Sequence, residues 1–198
     1  LTMQLGAVRP LVRADPDAVT ERLGRLQDAA REALDDACLT TPESRRAAAV
    51  ILGSGVGGKC SDDEASERLY RFDGRVHPLV IPRVMASAAT SQVTMEFGIH
   101  GPAFTVTSAC SSSSHALGQA FLMVRHGIVP IALTGGSEAV FCLGLYKAWT
   151  SLRVLAHDTC RPFDRNRRGL VLGEGAGVLV LEDLDHARAR GAEIYAEL

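Results

Sequence analysis

The spacing of hydrophobic residues predicts an amphipathic helix early in the chain. In "ADPDAVTERLGRLQDAAREALDDACL", apolar side chains recur every three or four positions from Val19 to Ala37. Asp15 followed by Pro16 is a favourable N-cap and first-turn pair. We therefore predict a helix that begins at this pair and ends near residue 38. The same periodicity in "SSSSHALGQAFLMVRHG" predicts a second helix, for which Gly127 is a stop signal.

Short apolar runs between the helical patterns predict buried strands. These runs are "AAAVILGSG", "AFTVTSA" and "VPIALTGGSEA". The stretch "GLVLGEGAGVLVLEDL" is interpreted as two β runs on either side of glycines, followed by a short helix in "DLDHARARG". The final "EIYAEL" also has the pattern of a strand. Helices that alternate with apolar strands indicate an α/β layered fold with at least some parallel pairing.

Composition narrows the class of protein. The 198 residues carry a net charge of −2, which favours neither nucleic acid nor an anionic membrane as a partner. The sequence has no apolar run of membrane-spanning length and no signal-peptide pattern at its start. Its five cysteines contain no CxxC pair, which argues against a structural zinc site, and an odd number fits a reducing compartment. We expect a cytoplasmic protein.

Cys110, in "TVTSACSSSSHALGQAF", is the first candidate for chemistry. A residue between the end of a strand and the start of a helix lies near free backbone N–H groups, which can stabilise an oxyanion. The helix dipole there stabilises a thiolate by roughly 0.3–1 kcal/mol. A buried small residue, with the serines capping the helix, fits the same spacing equally well. His115 follows by more than one helical turn and is a poor candidate for the general base of Cys110.

A glycine-rich segment raises a second possibility. Gly53, Gly55 and Gly58 match the dinucleotide-binding pattern GxGxxG directly after an apolar strand. The acidic residue near the expected offset is Asp73, which does not follow a strand pattern. A structural turn is therefore the better interpretation.

Two further segments carry charge. Glu174 lies in "GEGAG", where a carboxylate is an unusual choice for packing, although the glycines themselves are typical of a tight turn or a close backbone approach. Residues 161–168, "RPFDRNRR", form a basic cluster that could meet a phosphate-bearing carrier. A solvated loop is favoured for this cluster.

Taken in order, four segments resemble the β-ketoacyl synthases, the condensing enzymes of fatty-acid and polyketide synthesis. The segments are "VILGSGVGG", "GPAFTVTSACSSSSHALGQAF", "ALTGGSEA" and "CRPFDRNRRGLVLGEGAGVLVLEDLDHARARGAEIYAEL". Their order is most similar to the synthases that elongate chains on acyl carrier protein. The resemblance implies a thiolase-like fold of two α/β halves, usually a homodimer. Residues 1–198 would be the N-terminal domain, incomplete at both ends, and Gly53–Gly58 would be a structural loop.

The resemblance also implies a chemistry. Cys110 aligns with the family nucleophile, which accepts an acyl group from a phosphopantetheine thioester. A malonyl thioester then loses carbon dioxide, and the resulting carbanion attacks the acyl-cysteine. Glu174 is a possible supporting residue. The implied partners are acyl carrier protein with malonyl and acyl thioesters; we expect no cofactor, no metal, no nucleic acid and no membrane.

The departures from the family limit these expectations. Family members are twice as long, and their two catalytic histidines lie in the half that has no counterpart here. We therefore expect that this chain alone does not condense. Two alternatives stay open, a non-catalytic remnant or interaction module of the same fold and, less favoured, a nucleotide-binding oxidoreductase domain. Acyl chain length and the choice between fatty-acid and polyketide pathways also stay open.

Overall fold

The computed structural model describes residues 2–5, 9–11, 18–72 and 74–198, with side chains described from residue 25 onward. The predicted helix start at Asp15 and Pro16 lies outside the described residues, as does Asp73.

A single mixed sheet organises the described part of the chain. Its strands are β1 (Thr2–Leu5), β2 (Arg9–Leu11), β3 (Ala49–Gly53), β4 (Ala103–Val106), β5 (Ile131–Glu138), β6 (Glu174–Glu182) and β7 (Ala196–Glu197). They are arranged in the order β4-β3-β5-β6-β1-β7, and β2 also pairs with β6. The central strand β3 is parallel to β4 and β5, whereas β6 is antiparallel to its neighbours. The predicted α/β fold with some parallel pairing is confirmed.

Helices cover both faces of the sheet. They are α1 (Ala18–Asp36), α2 (Pro42–Arg45), α3 (Lys59–Phe72), α4 (Val80–Val84), α5 (Ala88–Phe97), α6 (Ser112–Arg125), α7 (Leu143–Ser151) and α8 (Leu184–Ala189). In the described residues, no helix combines the length and apolar character needed to span a membrane.

Strand β3 shows why the sequence specifies this layering. Alternate residues of a strand point to opposite faces of a sheet. Val50 and Leu52 join a cluster of buried side chains from α1 and α5, while Ala49 and Ile51 join a cluster from α6 on the other face. Both faces of β3 are therefore covered, which explains its continuous apolar run.

The prediction of two β runs around "GEGAG" is wrong. Strand β6 begins at Glu174 and includes Gly175 and Gly177, while the preceding residues contribute only an isolated bridge between Leu155 and Leu170. The cause is a close approach of two strands. A Cβ atom on Gly135 of β5 would lie 3.0 Å from the carbonyl carbon of Gly177 in β6. Gly135 therefore lets β5 pair closely with β6, which runs through residues 174–177 without a turn.

A buried ionic cluster joins β6 to α1 and α8. Glu182, whose side chain is 1% exposed, accepts hydrogen bonds from Arg190 Nε at 2.7 Å and Arg190 Nη2 at 2.6 Å. His186 Nδ1 lies 2.5 Å from the Glu182 Oε1 atom. Arg190 Nη1 also donates to the Ala37 carbonyl at 2.7 Å, just after α1. The hydrogen bond to Glu182 raises the pKa of Arg190 above its ordinary value.

Candidate active site

Cys110 lies in a tight turn between β4 and α6. The preceding residue, Ala109, has a φ of 53°, a left-handed conformation that is uncommon for a residue other than glycine. Such conformations cost about 1–3 kcal/mol and persist only where the surroundings hold them. The Cys110 side chain is exposed, so its interpretation as a buried core residue is wrong.

Serines tie this turn to the first turn of α6. The Ser112 hydroxyl donates to the Ala109 carbonyl at 2.6 Å and accepts the Ser108 N–H at 2.9 Å. Ser111 is the N-cap residue, but its hydroxyl donates to the Ser108 carbonyl at 2.8 Å and makes no capping bond. The predicted side-chain capping is therefore wrong at Ser111, because its hydroxyl reaches backward into the turn.

The backbone N–H groups at the start of α6 are partly engaged. Ser111 and Ser112 donate to the carbonyls of Ser108 and Ala109, at 3.3 and 3.1 Å. These two groups are therefore not available to an oxyanion, although the sequence pattern had favoured donors in this region.

Glycines at the ends of two strands let α6 lie directly on the sheet. A Cβ atom on Gly53 would lie 2.6 Å from the Ser112 carbonyl oxygen and closer still to the Ser113 nitrogen. A Cβ atom on Gly136 would lie 2.6 Å from the Gly53 carbonyl oxygen and clash with the Ser113 hydroxyl. This close approach of α6 to the sheet determines the position of Cys110 just before the helix.

Contacts within the chain also account for the GxGxxG pattern. A Cβ atom on Gly58 would lie 2.6 Å from the Val84 Cα atom, and one on Gly55 would lie 2.7 Å from the Glu138 carboxylate. The glycines of this loop therefore accommodate the protein's own residues, as a structural loop requires.

Sequence reasoning missed the role of Glu138, the last residue of β5. Its carboxylate accepts the Gly55 N–H at 2.6 Å and the Ser54 hydroxyl at 3.2 Å. The Ser54 hydroxyl in turn accepts the Gly57 N–H at 2.9 Å. The available signal was a carboxylate two residues after the glycine pair Gly135–Gly136, where a charged side chain is a poor choice for packing, as it is at Glu174.

Glu174 lines a cleft of about 90 Å³ together with Glu138, but Cys110 is outside the lining of this cleft. Glu174 Oε1 accepts the Phe141 N–H at 2.8 Å. Glu138 pairs with Gly175 in the β5–β6 ladder, which brings the two carboxylate residues to neighbouring strands. The structure thus groups Glu174 with Glu138, and a supporting role of Glu174 for Cys110 stays a prediction.

His115 is hydrogen-bonded within the turn. Its Nδ1 lies 2.7 Å from the Ser108 hydroxyl oxygen. This nitrogen is therefore engaged with the residue two positions before Cys110. The expectation that His115 is not the base for Cys110 stays a prediction.

The basic segment 161–168 is an exposed loop, apart from the half-buried Arg161 at its start. Arg161 forms a two-point ion pair with Asp158, and its hydrogen bond lowers the pKa of that carboxyl to about 2. Phe163 is fully exposed and Arg165 and Arg168 are also exposed. The prediction of an exposed loop is confirmed, and its arginines are accessible to a partner.

The sequence is similar to a known protein family and to proteins within it. A family model described as the N-terminal domain of β-ketoacyl synthase matches residues 18–187. Nodulation protein E of Rhizobium sp. (strain N33) is 48% identical over 175 residues, which cover 86% of this chain and 43% of that protein. 3-Oxoacyl-(acyl-carrier-protein) synthase 2 of Staphylococcus aureus is 38% identical over 177 residues, with 86% and 44% covered.

A solved structure shows the same fold. It contains a type II polyketide acyl-carrier protein in complex with its ketosynthase bound to the hexaketide, AntDE:AntF. The TM-score is 0.80 at 29% identity, and the match covers 89% of this chain and 47% of that chain.

The mixed sheet and the strand–helix turn that presents Cys110 define a thiolase-like condensing-enzyme domain. The chain belongs to the β-ketoacyl synthase family, in its N-terminal domain. It spans less than half the length of the two curated relatives.

Proposed function

We propose that Cys110 accepts the acyl group of a phosphopantetheine thioester. The observation that carries this proposal is the exposed thiol in the turn between β4 and α6. The Cys110 sulfur bonds to the thioester carbonyl carbon while the bond from that carbon to the donor sulfur breaks. The Cys110 proton ends on the released donor thiol, so the step needs no oxidant, reductant or resident cofactor.

For the whole protein, we propose decarboxylative condensation of the acyl-cysteine with a malonyl thioester. The family match and the name of the Staphylococcus aureus relative support this reaction class. Residues that stabilise the carbanion would come from a second half, as the resemblance implies.

The acyl-transfer step can be tested by mass spectrometry. After incubation with an acyl-pantetheine thioester, we expect the mass of one acyl group on the peptide that contains Cys110. Cys110→Ala should abolish this adduct, because the other exposed thiols lack the strand–helix turn. Cys160→Ala is the matched control, since Cys160 is also exposed. Equal acylation of all five cysteines, or an adduct that survives Cys110→Ala, would remove the special status of Cys110.

We further propose acyl carrier protein as the natural donor. The likeness to a ketosynthase solved with its acyl-carrier protein supports this partner, and the exposed arginines of segment 161–168 offer positive charge to a phosphate-bearing carrier. We expect the carrier-bound thioester to acylate Cys110 faster than the same acyl group on free pantetheine at equal concentration. Equal rates, measured by the mass shift over time, would argue against a protein donor.

A homodimer is proposed for the whole protein. Strand β4 is an edge strand of the described sheet, and its Phe104 is 39% exposed. An exposed edge strand with an apolar side chain is suited to pairing with a second copy.

A further inference from the structure

We propose that Glu138 is the positioning residue for Cys110, acting through the loop at residues 54–57. This inference rests on the proposed function of Cys110 as acyl acceptor. The connection consists of the hydrogen bonds from the loop to Glu138, the hydrogen bond from Ser54 to Val106, and the position of Gly55 beside the turn that carries the thiol.

Gly55 lies between Glu138 and the turn. Its N–H donates to Glu138 Oε2 at 2.6 Å. A Cβ atom on Gly55 would lie 3.4 Å from the Ala109 carbonyl oxygen, which is an ordinary van der Waals distance. The carboxylate therefore fixes the Gly55 backbone on the side of the loop that faces Ala109, with no side chain between them.

Ser54 provides a second connection. Its N–H donates to the Val106 carbonyl at 3.1 Å, at the end of β4, and its hydroxyl donates to Glu138 Oε1 at 3.2 Å. The loop is thus hydrogen-bonded to Val106, before the segment 107–108, and lies beside Ala109, after it. Glu138 binds both Ser54 and Gly55, the loop residues nearest to these two positions.

The conformation of Ala109 explains why this support matters. A left-handed alanine is held by its surroundings, which include the Ser112 hydroxyl on its carbonyl and, on the side of Gly55, the loop that Glu138 fixes. Without the carboxylate, the Gly55 N–H and the Ser54 hydroxyl lose their acceptor and the loop can move away. Ala109 can then relax, and the Cys110 thiol moves with it.

A role of Glu138 through its charge and a role through its position predict opposite effects of Glu138→Gln on the reactivity of Cys110. If the negative charge of Glu138 acted on the thiol, its removal would favour the thiolate and increase Cys110 reactivity at low pH. If Glu138 acts by position, Glu138→Gln keeps an oxygen that can accept the Gly55 N–H and preserves most of the reactivity. Glu138→Ala removes both the negative charge and the oxygen atoms that accept these hydrogen bonds.

The test compares Cys110 with Cys160 inside the same molecule. The rates of acylation by an acyl-pantetheine thioester and of alkylation by iodoacetamide are measured for both cysteines across pH. Glu138→Ala should lower the Cys110 to Cys160 ratio about tenfold, as expected for a reacting group displaced by a fraction of an ångström to one ångström. Glu138→Gln should retain at least about half of the wild-type ratio, with an unchanged pH midpoint.

Asp63→Ala is the matched control, because the Asp63 carboxylate accepts the Gly144 N–H at 3.0 Å in another part of the fold. It should leave the ratio unchanged. An equal loss in Asp63→Ala and Glu138→Ala, a shift of the pH midpoint in Glu138→Gln, or an unchanged ratio in Glu138→Ala would each overturn the proposal. If Glu138→Ala does not fold, Ser54→Ala tests the same connection between Glu138 and the turn. It should lower the Cys110 to Cys160 ratio by a smaller factor than the one expected for Glu138→Ala. An unchanged ratio would overturn the proposal.

The two proposals fail in different ways. If wild-type Cys110 is not acylated ahead of Cys160, the proposed function fails. The iodoacetamide ratio still reports whether Glu138 positions the thiol, because alkylation does not depend on the acyl donor.

Discussion

Gly53→Ala is expected to lower the free energy of unfolding by about 3 kcal/mol, at the upper end of the usual cost of overpacking. The added Cβ atom would meet backbone atoms of Ser112 and Ser113, and a side-chain rotation cannot move them away. Helix α6 must shift off the end of β3, and the turn that carries Cys110 shifts with it. Denaturant unfolding should therefore show a lower midpoint, and acylation of Cys110 should fall together with stability.

Gly118→Ala provides the control on the same helix. A Cβ atom at Gly118 meets nothing within 4 Å, so the variant should gain about 0.5–1 kcal/mol from the better helix propensity of alanine. If Gly53→Ala unfolds at the wild-type midpoint, the close packing of α6 on β3 does not determine the position of the turn.

Arg190→Met is expected to lower the free energy of unfolding by about 3 kcal/mol, because it leaves the buried Glu182 carboxylate without its two-point partner. The Ala37 carbonyl loses a donor as well. The pKa of Arg190 is raised in the folded chain, so its contribution is fully present below the ordinary arginine pKa. It is lost only as the pH rises through that raised value, so the loss in Arg190→Met should be seen across neutral pH.

Arg188→Met is the control, since Arg188 lies two residues earlier, in α8, with its guanidinium exposed and 4.0 Å from Glu197. Its effect should stay within about 0.5 kcal/mol. Adding Glu182→Leu to Arg190→Met should restore part of the lost stability, because the double variant no longer buries a carboxylate that has lost its guanidinium partner. A double variant that is less stable than Arg190→Met would show that the cost is one of packing.

The local pattern of hydrophobic and polar residues was sufficient to predict most helices and strands of the fold. Leu26, Ala30 and Leu34 are buried on one face of α1, as their spacing predicts. The apolar run of β3 is buried from Ala49 to Gly53 because helices cover both sheet faces. Periodicity reports such features because the repeat of a helix or strand and its burial are set by residues close together in sequence. The strand through "GEGAG" was missed because its partner, β5, lies far away along the chain.

The features of the candidate site also fall into two groups, those that the sequence predicted and those that only the structure showed. The sequence alone determined that Cys110 lies between a strand and a helix, and its ordered motifs determined the family. Only the tertiary structure decided that the thiol is exposed, that Ser111 bonds backward into the turn and that Glu138 holds Gly55, 83 residues away in sequence. The physical reason is that these features depend on how separate segments approach one another. Cys110 is placed by the close approach of Gly53 to the start of α6, a contact that no local repeat encodes.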